Sequence, residues 1–428
     1  MLTIVKKAVV ANKRHFGNIG WSLLGAVGPL IAAVVCIPVL LSALGMEGFG
    51  FLAIAWMIVG YFSLFDLGIG RAITFAVARD LSTGNDPTNL VGTGLKFLGA
   101  VGVAFGCILL LISDILVPLI LKEGVTGEYV LAVRIVACAV PVVVVTAGVK
   151  GLLEAHGSFK IISAVTTPTG ALMFILPSLV VLISPNIMIV CLSLVFVRVI
   201  QLILLGYFAS AKYGLGLGSR FSMSTLRRLL AFGGWLSVSN VVSPIMSYMD
   251  RLFIGVYMTA GAVTQYVVPF DMITKALILP TAVLSVLFPQ FSSNVRDSEN
   301  TEKLRLMRNA MVVMAFVMGI PLAVTFVSAF QILDYWLGEE IAVDTYILLQ
   351  VFTIGVFINS LAFVPYGLVQ GMGRADLTAK AHLVELLFYL PFLIYMIGVY
   401  GTLGAAIAWV SRVLFDLVIL LLMVRRIA

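Results

Sequence analysis

The chain is 428 residues long, 61% hydrophobic and only 11% charged. A soluble domain of ordinary composition carries about twice that share of charged residues, so these values exclude an ordinary soluble protein. The net charge of +7 does not indicate nucleic-acid binding, because the basic residues are distributed as membrane topology requires.

Apolar runs of the length that crosses a bilayer recur along the whole chain and predict about twelve transmembrane helices. In chain order they lie near 18–44, 49–76, 91–118, 128–150, 161–183, 187–210, 231–256, 263–290, 309–335, 344–370, 382–400 and 403–424. The first run is too long for the core of a secretory signal peptide, and we interpret it as the first spanning helix. The predicted fold class is an all-α membrane protein.

Basic residues accumulate on one side of this predicted topology. With the N-terminus in the cytoplasm, 19 Lys and Arg residues fall in or beside cytoplasmic segments, and only Lys122 falls in an opposite-side loop. Acidic residues such as Glu123, Glu128, Glu339 and Glu340 cluster in the opposite-side loops. This positive-inside asymmetry predicts that both termini are cytoplasmic.

The two halves of the chain match each other at an offset of about 214–216 residues. The clearest matches pair Gly151–Gly157 with Gly367–Gly373 and Arg198 with Arg412. Because six helices return the chain to the same side, the two repeats are parallel, which is a known transporter architecture.

The repeat predicts two pseudo-symmetric six-helix lobes around a central cavity. We place the N-terminal lobe at 1–210, a glycine-rich cytoplasmic linker at 211–230, and the C-terminal lobe at 231–428.

Charged residues inside the predicted spans are costly and normally face a cavity or a partner. The basic ones are Arg71, Lys96, Arg134, Arg198, Arg251, Lys275 and Arg412, and the acidic ones are Asp66, Asp114, Asp250, Asp271, Asp334, Glu385 and Asp416. Four of these, Lys96, Asp114, Asp334 and Glu385, lie near span ends, and we expect their side chains to reach the interface. Arg134 lies about two turns from its helix end and could belong to either group, and the remaining residues lie deeper and are the candidates for function.

Two interpretations stay open for the deeper charges. Asp271 with Lys275, and Arg412 with Asp416, are four residues apart and could form structural ion pairs. Arg198 has no acidic residue within one turn of its helix, and Arg412 is its repeat mate. Arginine suits a phosphate ligand because its planar guanidinium donates to two oxygens and stays charged when buried.

Other chemistry finds no support in the sequence. The four cysteines stand alone in apolar segments, the three histidines lie at cytoplasmic span ends in no metal-ligand pattern, and no phosphate-binding loop occurs. We therefore predict no catalytic residue, no metal and no cofactor, and a protein that is not an enzyme.

Three segments resemble the polysaccharide transporter family of the multidrug/oligosaccharidyl-lipid/polysaccharide flippase superfamily. They are Asp66-Leu-Gly-Ile-Gly-Arg71-Ala-Ile-Thr, Gly151-Leu-Leu-Glu-Ala-His-Gly-Ser-Phe-Lys160, and Phe232-Gly-Gly-Trp-Leu through Met249-Asp250-Arg251-Leu-Phe-Ile-Gly255. The resemblance implies a flippase that moves an undecaprenyl-diphosphate-linked oligosaccharide, such as an O-antigen unit, from the cytoplasmic to the periplasmic leaflet of the bacterial inner membrane. It also implies alternating access coupled to a proton or sodium gradient, with polysaccharide polymerase and chain-length proteins as partners.

This function assigns roles to the deep charges. Cations for the diphosphate are expected from Arg198, Arg412, Arg251, Lys275 and Arg71, and ion coupling or ion pairing from Asp66, Asp250, Asp271 and Asp416. One alternative is a multidrug cation antiporter of the same superfamily, which would favour buried carboxylates over arginines. Two further alternatives fit the sequence less well. Lipid II flippases usually carry helices beyond the twelve predicted here, and a membrane polysaccharide polymerase or ligase would need a larger periplasmic loop.

Overall fold

A computed structural model describes residues 2–61, 68–121, 127–292 and 300–427, and these ranges contain helices and short connections without a strand. The α-helices are α1 (Leu2–Tyr61), α2 (Ile69–Ser82), α3 (Thr88–Ile120), α4 (Gly127–Ala155), α5 (Phe159–Ile183), α6 (Ile187–Tyr213), α7 (Met223–Tyr257), α8 (Ala260–Thr274), α9 (Ile278–Ser292), α10 (Asn300–Val327), α11 (Ala329–Leu337), α12 (Glu339–Gly371) and α13 (Ala375–Ile427). A 3₁₀ turn, Lys275–Leu277, connects α8 to α9.

The two longest helices each bend at a glycine with a positive φ angle. Gly45 interrupts α1 at φ 68° and Gly401 interrupts α13 at φ 60°, a conformation that glycine adopts at low cost. The bend divides α13 into two of the predicted spans, whereas α1 carries the first span and only the beginning of the second, 49–76, whose last part lies in α2. In the described part of the chain, nine helical stretches are long and apolar enough to cross a membrane, which confirms an all-α membrane protein.

Large apolar side chains cover the outside of the helices. Leu111, Ile183 and Val327 are 79%, 88% and 77% exposed. A monomeric soluble protein rarely exposes such a continuous apolar surface, whereas lipid tails solvate it without cost. The outer surface is therefore what a bilayer-embedded helical protein requires.

The chain divides into two compact units, Met1–Pro244 and Ile245–Ala428. In the first unit α4 packs against α2, α3 and α6, and in the second unit α12 packs against α8, α9, α10, α11 and α13. The helices α4 and α12 carry the two matching glycine segments of the sequence repeat, so each repeat places the same span at the centre of its unit. The exact lobe and linker limits stay a prediction.

Glycines permit the closest helix contacts, as is common in membranes, where small residues let backbones approach. A Cβ added to Gly151 of α4 would overlap the carbonyl oxygen of Gly70 in α2, and one added to its repeat mate Gly367 of α12 would overlap Leu284 of α9. A Cβ on Gly102 of α3 would lie 2.6 Å from the Cα atom of Pro141. Larger residues at Gly151 and Gly102 would separate the helices because they meet backbone atoms, whereas at Gly367 the Leu284 side chain would have to move.

The glycine-rich segment after α6 is docked on the first unit. Gly216, at φ 61°, lies so close to α3 that a Cβ on it would overlap the Thr88 carbonyl oxygen. The Lys96 side chain donates a hydrogen bond to the Ser219 carbonyl oxygen, and the Asn89 side chain donates to the Arg220 carbonyl oxygen at 3.0 Å. Arg228 in the first turns of α7 forms a 3.0 Å ion pair with Asp80. The glycines here serve backbone packing.

Candidate functional site

A polar cavity of about 370 Å³ lies within the first unit, between α1, α2, α4, α5 and α6. Its charged lining consists of three basic residues, Arg71, Lys150 and Arg198, and one acidic residue, Glu154, which gives a net charge of +2. None of the three cations forms a salt bridge with a described residue. The cavity therefore combines an excess of positive charge with donors that remain available to an anion.

The close contact between Gly70 and Gly151 builds one wall of this cavity. Both glycines line it, and they bring Arg71 of α2 beside Lys150 of α4. The Thr74 hydroxyl donates to the Gly70 and Gly151 carbonyl oxygens, at 3.1 Å in each case. A hydroxyl that bridges the two helices at their narrowest separation fixes the spacing of the two cations.

Arg198 reaches the cavity from α6 with part of its guanidinium still uncommitted. One Nη1 hydrogen bond runs to the Gln201 side-chain oxygen at 2.9 Å, and Nε is buried without an acceptor among the described residues. A buried charged donor without a partner is costly. An anion entering the cavity would satisfy it, and Gln201 orients the group from the next turn.

The second unit holds a buried charge network between α7 and α8. Arg251 forms a 2.6 Å ion pair with Asp271, and its side chain is 5% exposed. Asp250 accepts a 2.7 Å hydrogen bond from the Arg251 backbone N–H and a 2.5 Å hydrogen bond from the Tyr266 hydroxyl. Phe270 lies under the Arg251 guanidinium, with its ring centroid 5.7 Å away. Asp250, Arg251 and Asp271 are thus engaged with one another.

This network differs from the predicted helical pairing of Asp271 with Lys275. Asp271 is committed to Arg251 on the neighbouring helix, while Lys275 is exposed at the 3₁₀ turn and joins no salt bridge with a described residue. The ion pair between Arg251 of α7 and Asp271 of α8 replaces the predicted pair of Asp271 with Lys275, because α7 and α8 meet at Asp271.

A second cavity, of about 520 Å³, lies between the two halves of α13. It is mostly apolar and is lined by Glu385, Tyr389, Arg412 and aromatic residues. The Arg412 guanidinium lies over the Tyr389 ring at 5.6 Å, and its Nε is buried without an acceptor among the described residues. Arg412 thus shares with its repeat mate Arg198 a buried Nε atom that lacks a described partner.

Asp416 belongs to a cluster rather than to a pair with Arg412. No salt bridge within 4.0 Å joins these two described residues. Instead, one ring nitrogen of His382 and one carboxylate oxygen each of Glu385 and Asp416 lie within 4.8 Å of one another. The expectation that no histidine joins such a cluster was wrong, because residues 382 and 385 share a helical face that meets Asp416 across the bend at Gly401. Glu385 is 2% exposed, so the expectation that it reaches the interface was also wrong.

Sequence reasoning placed some residues correctly at cavities and missed others. Arg71 and Arg198 share one cavity and Arg412 lies in another, while Asp66 lies outside the described residues. The missed residues are Lys150, Glu154, Gln201 and His382, and Glu385 was expected at the interface instead. One signal was available for Lys150: it directly precedes Gly151, one of the repeat-matched glycines, on a central helix.

Comparison with known proteins decides the family. Residues 16–295 match the family described as "Polysaccharide biosynthesis protein", more than half of the chain. The chain belongs to this family. The protein named "Putative O-antigen transporter" from Shigella flexneri is 31% identical over 409 residues, which cover 94% of this chain and 96% of that protein. The resemblance carried by the sequence motifs is thereby confirmed.

Solved structures similar to this polysaccharide biosynthesis protein share its fold at low sequence identity. A multidrug resistance MATE family transporter of the MOP superfamily, in an inward-facing conformation, matches with a TM-score of 0.77 and 15% identity over 92% of this chain and 94% of that one. The lipid II flippase MurJ, in an inward closed conformation, matches with a TM-score of 0.72 and 13% identity over 94% of this chain and 87% of that one. Together with the 31% identical relative named as a transporter, the long apolar helices make the chain a multi-pass membrane transporter rather than an enzyme.

Proposed function

We propose that the protein is a flippase for a lipid-linked oligosaccharide and that the cavity lined by Arg71, Lys150 and Arg198 binds the diphosphate of the lipid. The observation that carries the proposal is the excess of positive charge in this cavity, whose three cations form no salt bridge with any residue that the structure describes. A diphosphate presents several anionic oxygens close together, and two guanidinium groups with one ammonium group match that arrangement. A cation exporter would instead require a negatively charged cavity.

The second unit supports the same substrate chemistry. Arg412 lies at the repeat-matched position of Arg198, and the apolar cavity beside it offers a surface for a lipid chain. Similarity to the Shigella flexneri protein agrees with an O-antigen-type glycan as the cargo. The positive-inside pattern agrees with an inner-membrane protein whose termini are cytoplasmic and whose cargo is loaded on the cytoplasmic side.

The test is translocation in liposomes that carry the purified protein and a fluorescent undecaprenyl-diphosphate oligosaccharide. A membrane-impermeant reductant quenches only the label in the outer leaflet, so the protected fraction reports movement between leaflets. Arg198→Gln and Lys150→Gln should each reduce the translocation rate roughly tenfold to hundredfold, because a hydrogen bond to a charged group contributes about 1.5–3 kcal/mol.

Arg134→Gln is the matched control, because this arginine lies in the same unit, outside the cavity, in a half-exposed ion pair with Asp114. It should keep the wild-type rate. Wild-type rates in both cavity variants would refute the diphosphate site. Transport of a soluble organic cation by a wild-type protein that moves no lipid would refute the flippase and favour the multidrug exporter.

A further inference from the structure

The cluster of His382, Glu385 and Asp416 is not explained by substrate binding. Both carboxylate oxygens of Glu385, Oδ1 of Asp416 and Nδ1 of His382 are buried without a hydrogen-bond partner among the described residues. One ring nitrogen of His382 and one carboxylate oxygen each of Glu385 and Asp416 lie within 4.8 Å of one another. A buried carboxylate with two unsatisfied oxygens, beside a second carboxylate, is costly unless a cation or a proton occupies the site.

The charge balance limits the missing species to a proton or a monovalent cation. With His382 neutral, Glu385 and Asp416 carry two negative charges, and Arg412, one helical turn before Asp416, contributes one positive charge. Arg412 interacts electrostatically with His382 and Glu385. One further positive charge makes the group neutral, whereas a divalent cation would leave an excess positive charge in the span. A proton also supplies an O–H that one carboxylate can donate to the other.

We propose that Glu385 and Asp416, with His382 beside them, share one proton and form the coupling-ion site of this transporter, and that Arg412 links this proton to the anionic headgroup. The link to the headgroup rests on the proposed function. When a diphosphate binds Arg412, the positive charge is drawn away from the carboxylates, and a proton on them becomes more favourable. By reciprocity, the proton strengthens diphosphate binding by the same factor.

The two repeats differ at the positions of this cluster, and the difference fits an anion site in the first unit and a proton site in the second. Arg412 has its repeat mate in Arg198, but the positions that match His382, Glu385 and Asp416 hold Pro168, Ala171 and Leu202. The first unit therefore keeps the arginine without the buried acids and places it in a cavity with other cations. The second unit keeps the arginine and adds the acids.

Other titratable groups face the cluster from several helices. Tyr389 of α13 lies one turn beyond Glu385 and under Arg412, and its hydroxyl is buried. Tyr366 of α12 stacks on His382, with ring centroids 6.5 Å apart. Asp250 of α7 and Tyr266 of α8 each interact electrostatically with Tyr389, and they also interact with each other. Among the described residues around it, Arg412 is the only cation that acts on the cluster.

The first experiment measures the proton directly. Infrared difference spectra of the purified protein on acidification should show the C=O band of a protonated, buried carboxyl group. The band should disappear in Glu385→Gln and in Asp416→Asn, and it should persist in Asp376→Asn, a control at an exposed carboxylate of the same helix that pairs with Arg374. Two isosteric variants are used so that a folding defect in one leaves the other to decide. A band unchanged in both variants would overturn the proton site.

The second experiment measures coupling in liposomes with the fluorescent lipid-linked oligosaccharide. A pH gradient, imposed without a sodium gradient, should change the translocation rate of the wild type, and Glu385→Gln should lose this response, whereas the exposed-carboxylate control Asp376→Asn should keep it. A response to sodium alone, or displacement of the infrared band by Na⁺ or Zn²⁺, would show a metal cation in place of the proton. Failure of the flippase itself would appear differently: the band would persist, but the wild type would move no lipid under either gradient.

Discussion

Replacing Gly151 with alanine tests the contact that brings α2 against α4 and sets one wall of the cationic cavity. The added Cβ would overlap the Gly70 carbonyl oxygen and would lie 3.1 Å from both the Gly70 carbonyl carbon and the Thr74 hydroxyl oxygen. The neighbour is backbone and cannot rotate away, so the helices must separate. Overpacking of this kind costs about 1–3 kcal/mol, and we expect the upper half of that range.

The control is Gly206→Ala in α6, where an added Cβ meets no atom within 4 Å. Alanine in an open helical position stabilises by about 0.5–1 kcal/mol relative to glycine. The two substitutions are therefore chemically identical and should shift stability in opposite directions.

The assay is thermal unfolding of both variants in detergent, followed by intrinsic fluorescence, with lipid translocation measured at a temperature where both are folded. The unfolding midpoint should fall for Gly151→Ala and rise slightly for Gly206→Ala. Translocation should fall for Gly151→Ala alone, because Arg71 and Lys150 move apart. A Gly151→Ala protein as stable and as active as the wild type would refute the proposed role of this contact.

Two further substitutions test the charge network of the second unit. Arg251→Met leaves Asp271 without its ion-pair partner, and we expect the free energy of unfolding to fall by about 1.5–3 kcal/mol. Thermal unfolding measures the loss, and an unchanged midpoint would show that the ion pair contributes nothing. Tyr266→Phe leaves a buried oxygen of Asp250 without a hydrogen-bond donor and should lower the free energy of unfolding by about 1–3 kcal/mol. Tyr335→Phe, at a side chain that is 95% exposed, is the control and should leave it unchanged. Equal unfolding midpoints for the two tyrosine variants would contradict the network.

The order of the apolar spans could be predicted from the sequence because apolar length is a one-dimensional property. The predicted number was about twelve, and the described residues contain nine long apolar helical stretches. A bilayer demands about 20 apolar residues for each crossing whatever the neighbouring helices are, and no other arrangement hides the backbone polar groups of so many runs. The repeat was visible for the same reason, since Gly151 and Gly367, or Arg198 and Arg412, occupy equal places along each half.

Which charges meet was decided only by tertiary packing. Lys150 looked like a residue at a cytoplasmic helix end, and the glycine contact between α2 and α4 placed it in a cavity with Arg71 and Arg198. Glu385 and Asp416 lie 31 positions apart in the sequence, and the bend at Gly401 folds one half of α13 back against the other. Helix faces meet where small residues and bends permit, and that choice depends on partners distant in the chain.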